Sequence, residues 1–323
     1  MTTLAKAVAR GTANASAFLV FVMILFGSHA GSQASTPPND QDTQAYRLSV
    51  DLNLVVLHAT VRDRSARFVS NLREQDFEVY EDGVRQSLRL FLHEDVPVTV
   101  GLVVDHSGSM QSKLVEVTAA ARSFAQFSNP QDQMFVVNFN ETVALGLPAA
   151  IPFTNNPAQL QGAIWRAPAL GETALYDAVV KGLQQLQEGN RDRKVLLVIS
   201  DGGDNASTHS LAQVASRAAQ SSAMIYTIGL FEAGNPDRNP GVLHQLARAT
   251  GGEAFFPDQI GEVTAICEGI ARDIRNQYTL GYVSTNGAQN TAYRAIRVVA
   301  RAAGRGRLFV RTRYGYSIGG ERR

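Results

Sequence analysis

The stretch VTVGLVVDHSGSM (98–110) constrains the fold more than any other part of this chain. Residues 98–104 are apolar and largely β-branched, the make-up of a strand buried on both faces. Such strands belong to parallel sheets covered by helices. The run stops at Asp105, Ser107 and Ser109 follow at i+2 and i+4, and a helical pattern begins at Lys113. A carboxylate and two hydroxyls thus stand at the carboxyl end of a central strand, where open α/β sheets bind their ligands. Oxygen donors that are mostly uncharged suit a hard cation such as Mg²⁺ and leave it part of its charge. Two further stretches match this one. Gly171-Glu172-Thr173 precedes a helix expected from near Ala174, and Ile199-Ser200-Asp201-Gly202-Gly203 closes a second buried strand at 194–200.

Short Asp/Ser/Gly strings are common in loops, so DxSxS alone carries little weight. Here Asp105, Ser107, Ser109, Thr173 and Asp201 stand in the order and spacing of a metal-ion-dependent adhesion site (MIDAS), and the chain resembles von Willebrand factor A (VWFA) domains. The resemblance implies that the hydroxyls of Ser107, Ser109 and Thr173 bind the cation, with Asp105 and Asp201 acting directly or through water. It implies Mg²⁺, with Mn²⁺ also suitable, and a protein partner whose exposed Asp or Glu replaces a water at the open position. Gly108 is expected to let the loop backbone approach the ion. Glu172 is expected to shape the rim or to compete for the open position. Asp204 is expected to shape the loop after Asp201, or to support the site from behind, and His106 to be an exposed loop residue.

Around this centre, residues 97–276 alternate strands with helices, which implies a doubly wound, mostly parallel VWA-type sheet with helices on both faces. Pro148 and Pro152 fit an edge strand near 142–153. The flanks read differently. Alternation at Leu48, Val50, Leu52, Leu54 and Val56 gives a half-buried strand, and Glu81-Asp82-Gly83 joins the runs 76–80 and 84–92 as a hairpin. After Asn276 three strand-like runs appear at 278–283, 293–301 and 307–314. The segments 46–96 and 277–318 are therefore expected to form one small β-sandwich into which the α/β domain is inserted, followed by a tail at 319–323. The segments VPVTVGLVVDHSGSM, NQYTLGYVS and RAIRVVARAAGRGRLFVRTRYGYS are similar to exported bacterial VWFA-related proteins of the Acidobacterial type.

Lys6 and Arg10, an apolar core at 17–27 and the small residues Ser28-His29-Ala30 have the three-part layout of a signal peptide, 1–30. Cleavage fits after Ala30 or Ala34, and 31–45 reads as a linker. The apolar core is short for a membrane span, which needs about 20 residues; an uncleaved anchor is the alternative. The protein is accordingly expected to be exported, periplasmic or secreted. Cys267 is the only cysteine, so no intramolecular disulfide forms, and its place on the stripe Val263, Cys267, Ile270, Ile274 makes it a small buried hydrophobe. A net charge of +1 points to neither nucleic acid nor an anionic surface as a global partner. Arg294, Arg297, Arg301, Arg305, Arg307, Arg311 and Arg313 read as a solvated sheet face.

Function classes then narrow. A binding module is expected, and no enzyme: there is no G-x-S-x-G elbow, and Asp105-x-Ser107 lacks the second carboxylate of an aspartyl phosphatase. The alternatives are a metal-dependent hydrolase using Ser107 or His106, and a structural envelope module whose metal only stabilises the fold.

Overall fold

The computed structural model describes residues 54–231, 238–286 and 293–317. The expected signal peptide, linker and tail, and residues 46–53, lie outside the described residues. The first described strand, β1 (Leu54–Arg62), is followed by β2 (Phe77–Glu81), β3 (Val84–Gln86) and β4 (Leu88–Leu92). Next come β5 (Val98–Asp105), α1 (Leu114–Phe127), β6 (Gln133–Phe139), β7 (Val143–Leu145), α2 (Pro157–Ile164) and α3 (Leu175–Glu188). They lead to β8 (Arg193–Ser200), α4 (Leu211–Gln220), β9 (Met224–Gly229), α5 (Pro240–Thr250), β10 (Ala254–Phe255) and α6 (Val263–Arg275). Strands β11 (Tyr278–Val283), β12 (Tyr293–Ala300), β13 (Phe309–Arg311) and β14 (Gly315–Ser317) close the order.

The central sheet has the order β10-β9-β8-β5-β6-β7 and is parallel except for the edge strand β7. β5 lies between β8 and β6, and every one of its residues is buried, which is why its sequence is apolar without alternation. Helices α1, α2 and α6 pack as one group, and α3, α4 and α5 as another. Start signals are local. Asn156 accepts the Ala158 and Gln159 N–H groups ahead of Pro157, and Ser210 forms a capping box with Gln213. Cys267 is fully buried on α6, and burial pushes its thiol up to about 12.

Glycine is required at Gly101, in mid-strand. A Cβ there would sit 2.4 Å from the Phe135 ring and 2.6 Å from Leu196 Cδ2. The absent side chain lets Phe135 lie across the strand. Gly101→Ala is expected to lower stability by about 1–3 kcal/mol through overpacking, read as a lower urea midpoint with unchanged m-value.

The flanking segments build two antiparallel four-stranded sheets, β13-β1-β11-β4 and β14-β12-β2-β3. They share a core that includes Leu57, Val79, Leu280, Tyr282 and Ile296. Tyr278 sits at its centre: its ring is 4.9 Å from that of Phe77, and its hydroxyl donates to the Val69 carbonyl (2.7 Å) and accepts from the Leu72 N–H (3.0 Å). Asp82 and Gly83 both have positive φ, 49° and 83°, as the mirror-image hairpin turn demands. The expected run 84–92 divides, pairing first with β2 and then, past Ser87, with β11 in the other sheet; of the expected run 307–314, residues 309–311 form β13 against β1, and the next strand, β14 at 315–317, pairs with β12 in the other sheet. One apolar run can serve two sheets when both close over the same core.

A buried polar cluster joins these sheets to the α/β region. Asp273 on α6 accepts from Thr60 Oγ1 (2.7 Å), Tyr226 Oη (2.9 Å) and the Arg311 guanidinium. Arg311 also donates to the Gly251 carbonyl (2.6 Å), and its guanidinium lies over the Tyr226 ring. Burial, and then the Asp273 carboxylate, hold the Tyr226 phenol protonated. Arg313 donates to the Ala219 and Ser221 carbonyls (2.8 and 3.1 Å), and Arg294 is buried against Asp82 (2.9 Å). The expected solvated arginine face is thus corrected at three positions. These guanidiniums turn inward because carboxylates and helix-end carbonyls supply acceptors there.

Candidate metal centre

Asp105 ends β5 and bends the chain at once, because its Oδ1 accepts the Ser107 N–H (2.8 Å). Its other oxygen accepts from Ser200 Oγ (2.6 Å), and that hydroxyl in turn accepts the Gly202 N–H (3.0 Å). Asp201 repeats the device, with Oδ1 accepting the Gly203 N–H (3.1 Å). Its Oδ2 accepts from Ser109 Oγ (2.6 Å), which lies 3.2 Å from Ser107 Oγ. Asp105, Ser107, Ser109 and Asp201 therefore form one connected set across the ends of β5 and β8.

Thr173 reaches the set through its loop. The Gly171 carbonyl accepts the Gly108 N–H (3.2 Å), and the Leu170 N–H donates to the His106 carbonyl (2.9 Å). On the other side, the Thr173 N–H donates to Asn205 Oδ1 (2.8 Å), and its carbonyl accepts the Asn205 and Ala206 N–H groups (3.0 and 3.1 Å). The Thr173 loop is stitched to both of the others. Among the described residues the Thr173 hydroxyl itself makes no hydrogen bond.

Asp105 is fully buried, and this burial, helped by the nearby Asp201 carboxylate, pushes its carboxyl up to about 6 against the hydrogen bonds from Ser107 and Ser200. Ser107, Thr173 and Asp201 are also buried, while Gly108, Gly171 and Glu172 are exposed around them.

One expectation changes. His106 is not an exposed loop residue: it is fully buried, with Nε2 3.1 Å from Asn138 Oδ1, and burial holds its imidazole below the usual histidine range. Its backbone bonds to Phe139 and Leu170 prolong the β5 ladder by one residue and carry the ring inward. At Gly108 a Cβ would meet no protein atom nearer than 3.9 Å. The obligatory glycines are Gly171 (φ +86°) and Gly202 (φ +79°), where a Cβ would strike Glu141 and the Asn239 carbonyl. Asp204 Oδ1 accepts from Ser207 Oγ (2.6 Å) and the Tyr176 N–H (3.1 Å), pinning the loop after Asp201 to the start of α3. Glu172 is exposed at the rim, and its N–H donates to Glu141 Oε2 (3.1 Å).

Sequence reasoning passed over Ser200 and Lys113. Ser200 is a hydroxyl ending an otherwise apolar strand beside Asp201, a signal that was available. Lys113 is buried and donates from Nζ to the Ser109 carbonyl (2.7 Å), which nothing in its helical spacing announces.

The model of the von Willebrand factor type A domain matches residues 99–267, about half of the chain. The chain belongs to the von Willebrand factor type A domain family. VWA domains are generally binding modules without catalytic activity, and they often hold a divalent metal at a MIDAS. A VWA structure from Catenulispora acidiphila has the same fold, with a TM-score of 0.51 and 15% identity over 77% of this chain and 75% of that one. The vWF domain of the type V pili tip protein Mfa5 from Porphyromonas gingivalis is similar at a TM-score of 0.46, with 14% identity over 56% of this chain and 95% of that one. In sequence, an uncharacterized protein of Synechocystis sp. is 28% identical over 173 residues, 52% of this chain; the match spans only 39% of that protein. Among the described residues of this VWA protein, no helix is long and apolar enough to cross a membrane.

Proposed function

We propose that this VWA domain holds Mg²⁺, or Mn²⁺ in its place, on Asp105, Ser107, Ser109, Thr173 and Asp201, and captures a protein partner whose exposed Asp or Glu completes the coordination. The observation that carries this reading is the connected run Ser107 Oγ, Ser109 Oγ, Asp201 Oδ2, with spacings of 3.2 and 2.6 Å, beside the buried Asp105. The donor set is hard and oxygen-only. Among the described residues no three His, Cys, Asp or Glu side chains gather as a zinc or all-carboxylate site would need, so hydroxyls supply the remaining donors. With hydroxyls in place of further carboxylates, the cation keeps an attraction for an incoming anion.

Ser200 and the Ser107 N–H orient Asp105, and Asn205 fixes the Thr173 backbone, so the donors are held before metal arrives. The reading includes export, on the Lys6, Arg10 and 17–27 layout, and places the partner in the cell envelope.

Immobilised full-length protein incubated with envelope extract tests it. A partner is expected to bind in Mg²⁺, to leave in EDTA and to return with Mn²⁺, and Ser107→Ala or Thr173→Ala should raise the metal concentration needed. A partner retained in EDTA, or Mg²⁺-dependent turnover of simple esters or phosphates, counts against capture at the metal.

A further inference from the structure

Exposed arginines gather on the flanking β-sheets. Two turns meet there, 63–67 after β1 and 302–308 before β13, and they border two adjoining clefts of about 260 and 550 Å³ that share Arg305, Gly306, Arg307 and Leu308. Arg64, Arg67, Arg301, Arg305 and Arg307 line these clefts, and Asp63 is the single carboxylate among the lining residues. All five arginines are exposed. The chain as a whole carries only +1, so this is a local concentration of charge.

The inward arginines of this protein have evident structural partners. These do not, or only in part. Arg67 pairs with Asp63 (2.9 Å), and Arg301 reaches Glu78 (3.4 Å). Among the described residues the Arg305 side chain finds only the neutral Asn71 Oδ1 (2.7 Å), and Arg307 lies over the Phe309 ring. Arg64 has no ion-pair partner among the described residues. Like charges gathered on two neighbouring turns repel one another and lower stability, so the cluster is explained by what it binds rather than by what it holds together.

We propose that this surface lands on an anionic lipid membrane, its guanidiniums taking the phosphate groups of the lipids. A planar guanidinium matches a phosphate bidentately. Phe309, 47% exposed and stacked by Arg307, supplies the apolar contact that an interfacial site adds to charge. A single exposed ring gives no platform for a run of stacked bases, which sets the surface apart from a nucleic-acid groove.

The test is co-sedimentation of the full-length protein with vesicles of phosphatidylcholine alone, or of phosphatidylcholine with a minor fraction of phosphatidylglycerol. The apolar segment 17–27 contributes to both vesicle types and to all variants alike, so the readout is the preference for the anionic vesicles. Wild type should show that preference and lose it as salt is raised. Arg305→Glu/Arg307→Glu should reduce it by about fivefold for each arginine removed, or more. Arg122→Glu/Arg217→Glu, which makes the same charge change at exposed positions on α1 and α4, should leave it intact. Thermal melts check that each variant is folded. No preference in wild type, an equal loss in both double variants, or stronger binding to a single-stranded oligonucleotide than to the anionic vesicles would overturn the proposal.

Discussion

Asp105→Ala is expected to abolish Mg²⁺ binding while the protein stays folded. Of the proposed donors, Asp105 is held on both of its oxygens, by the Ser107 N–H (2.8 Å) and the Ser200 hydroxyl (2.6 Å). Deleting it leaves two buried donors without an acceptor, a cost of about 1–3 kcal/mol. Against that, burial already pushes its carboxyl from 3.8 up to about 6. A carboxyl that binds its proton more tightly folded than unfolded opposes folding at neutral pH, by an amount of the same order. The two effects offset, so the melting temperature without metal should move little. Metal affinity should fall more than about a hundredfold, beyond the tenfold to hundredfold loss typical of a supporting residue, and Ser200→Ala should show that smaller loss. Isothermal titration with Mg²⁺ and Mn²⁺ reads both. Equal heats from wild type and Asp105→Ala would rule out the assigned donor set.

Asp273→Ala should produce a larger change in stability than any substitution in the metal centre. It strips the half-buried Arg311 guanidinium and the buried Tyr226 and Thr60 hydroxyls of a common acceptor. Removing one partner of a buried ion pair costs about 3–5 kcal/mol, a large share of a typical domain's stability. Asp273→Leu/Arg311→Met should recover part of the loss, because no unpaired charge remains. Urea denaturation of Asp273→Leu, Arg311→Met and the double variant gives the coupling, expected to be at least about 1 kcal/mol for groups in direct contact. A loss below about 1 kcal/mol for Asp273→Ala would mean that apolar packing, and not this cluster, joins the sheets to the α/β region.

Much of this fold was legible because its signals are local. The unbroken apolar run at 98–104 required a strand covered on both faces, and β5 is that strand. Asp82-Gly83 required a tight hairpin turn, and both residues take positive φ. The spacing of Asp105, Ser107, Ser109, Thr173 and Asp201 was enough to pick out two strand-end loops and the loop before α3, which the tertiary structure stitches together. What the sequence by itself determined, then, was the order and kind of the elements and the residues at their tips, since periodicity and turn chemistry act over a few positions.

The tertiary structure decided the rest. Residues 84–92 read as one strand yet divide between two sheets, and residues 307–314 read as one strand yet form β13 only at 309–311, the next strand lying in the other sheet; only the shared core around Tyr278 says where. His106 reads as a loop residue and is buried because Asn138, on the neighbouring strand, accepts its ring into the interior. Ser200 supports Asp105 across 95 positions of sequence, and Arg311 meets Asp273 only when the last strands fold back over α6. Partner choice for a buried polar group depends on which acceptor lies within about 3 Å, and that distance is set by packing between segments remote in the chain, not by any pattern within one of them.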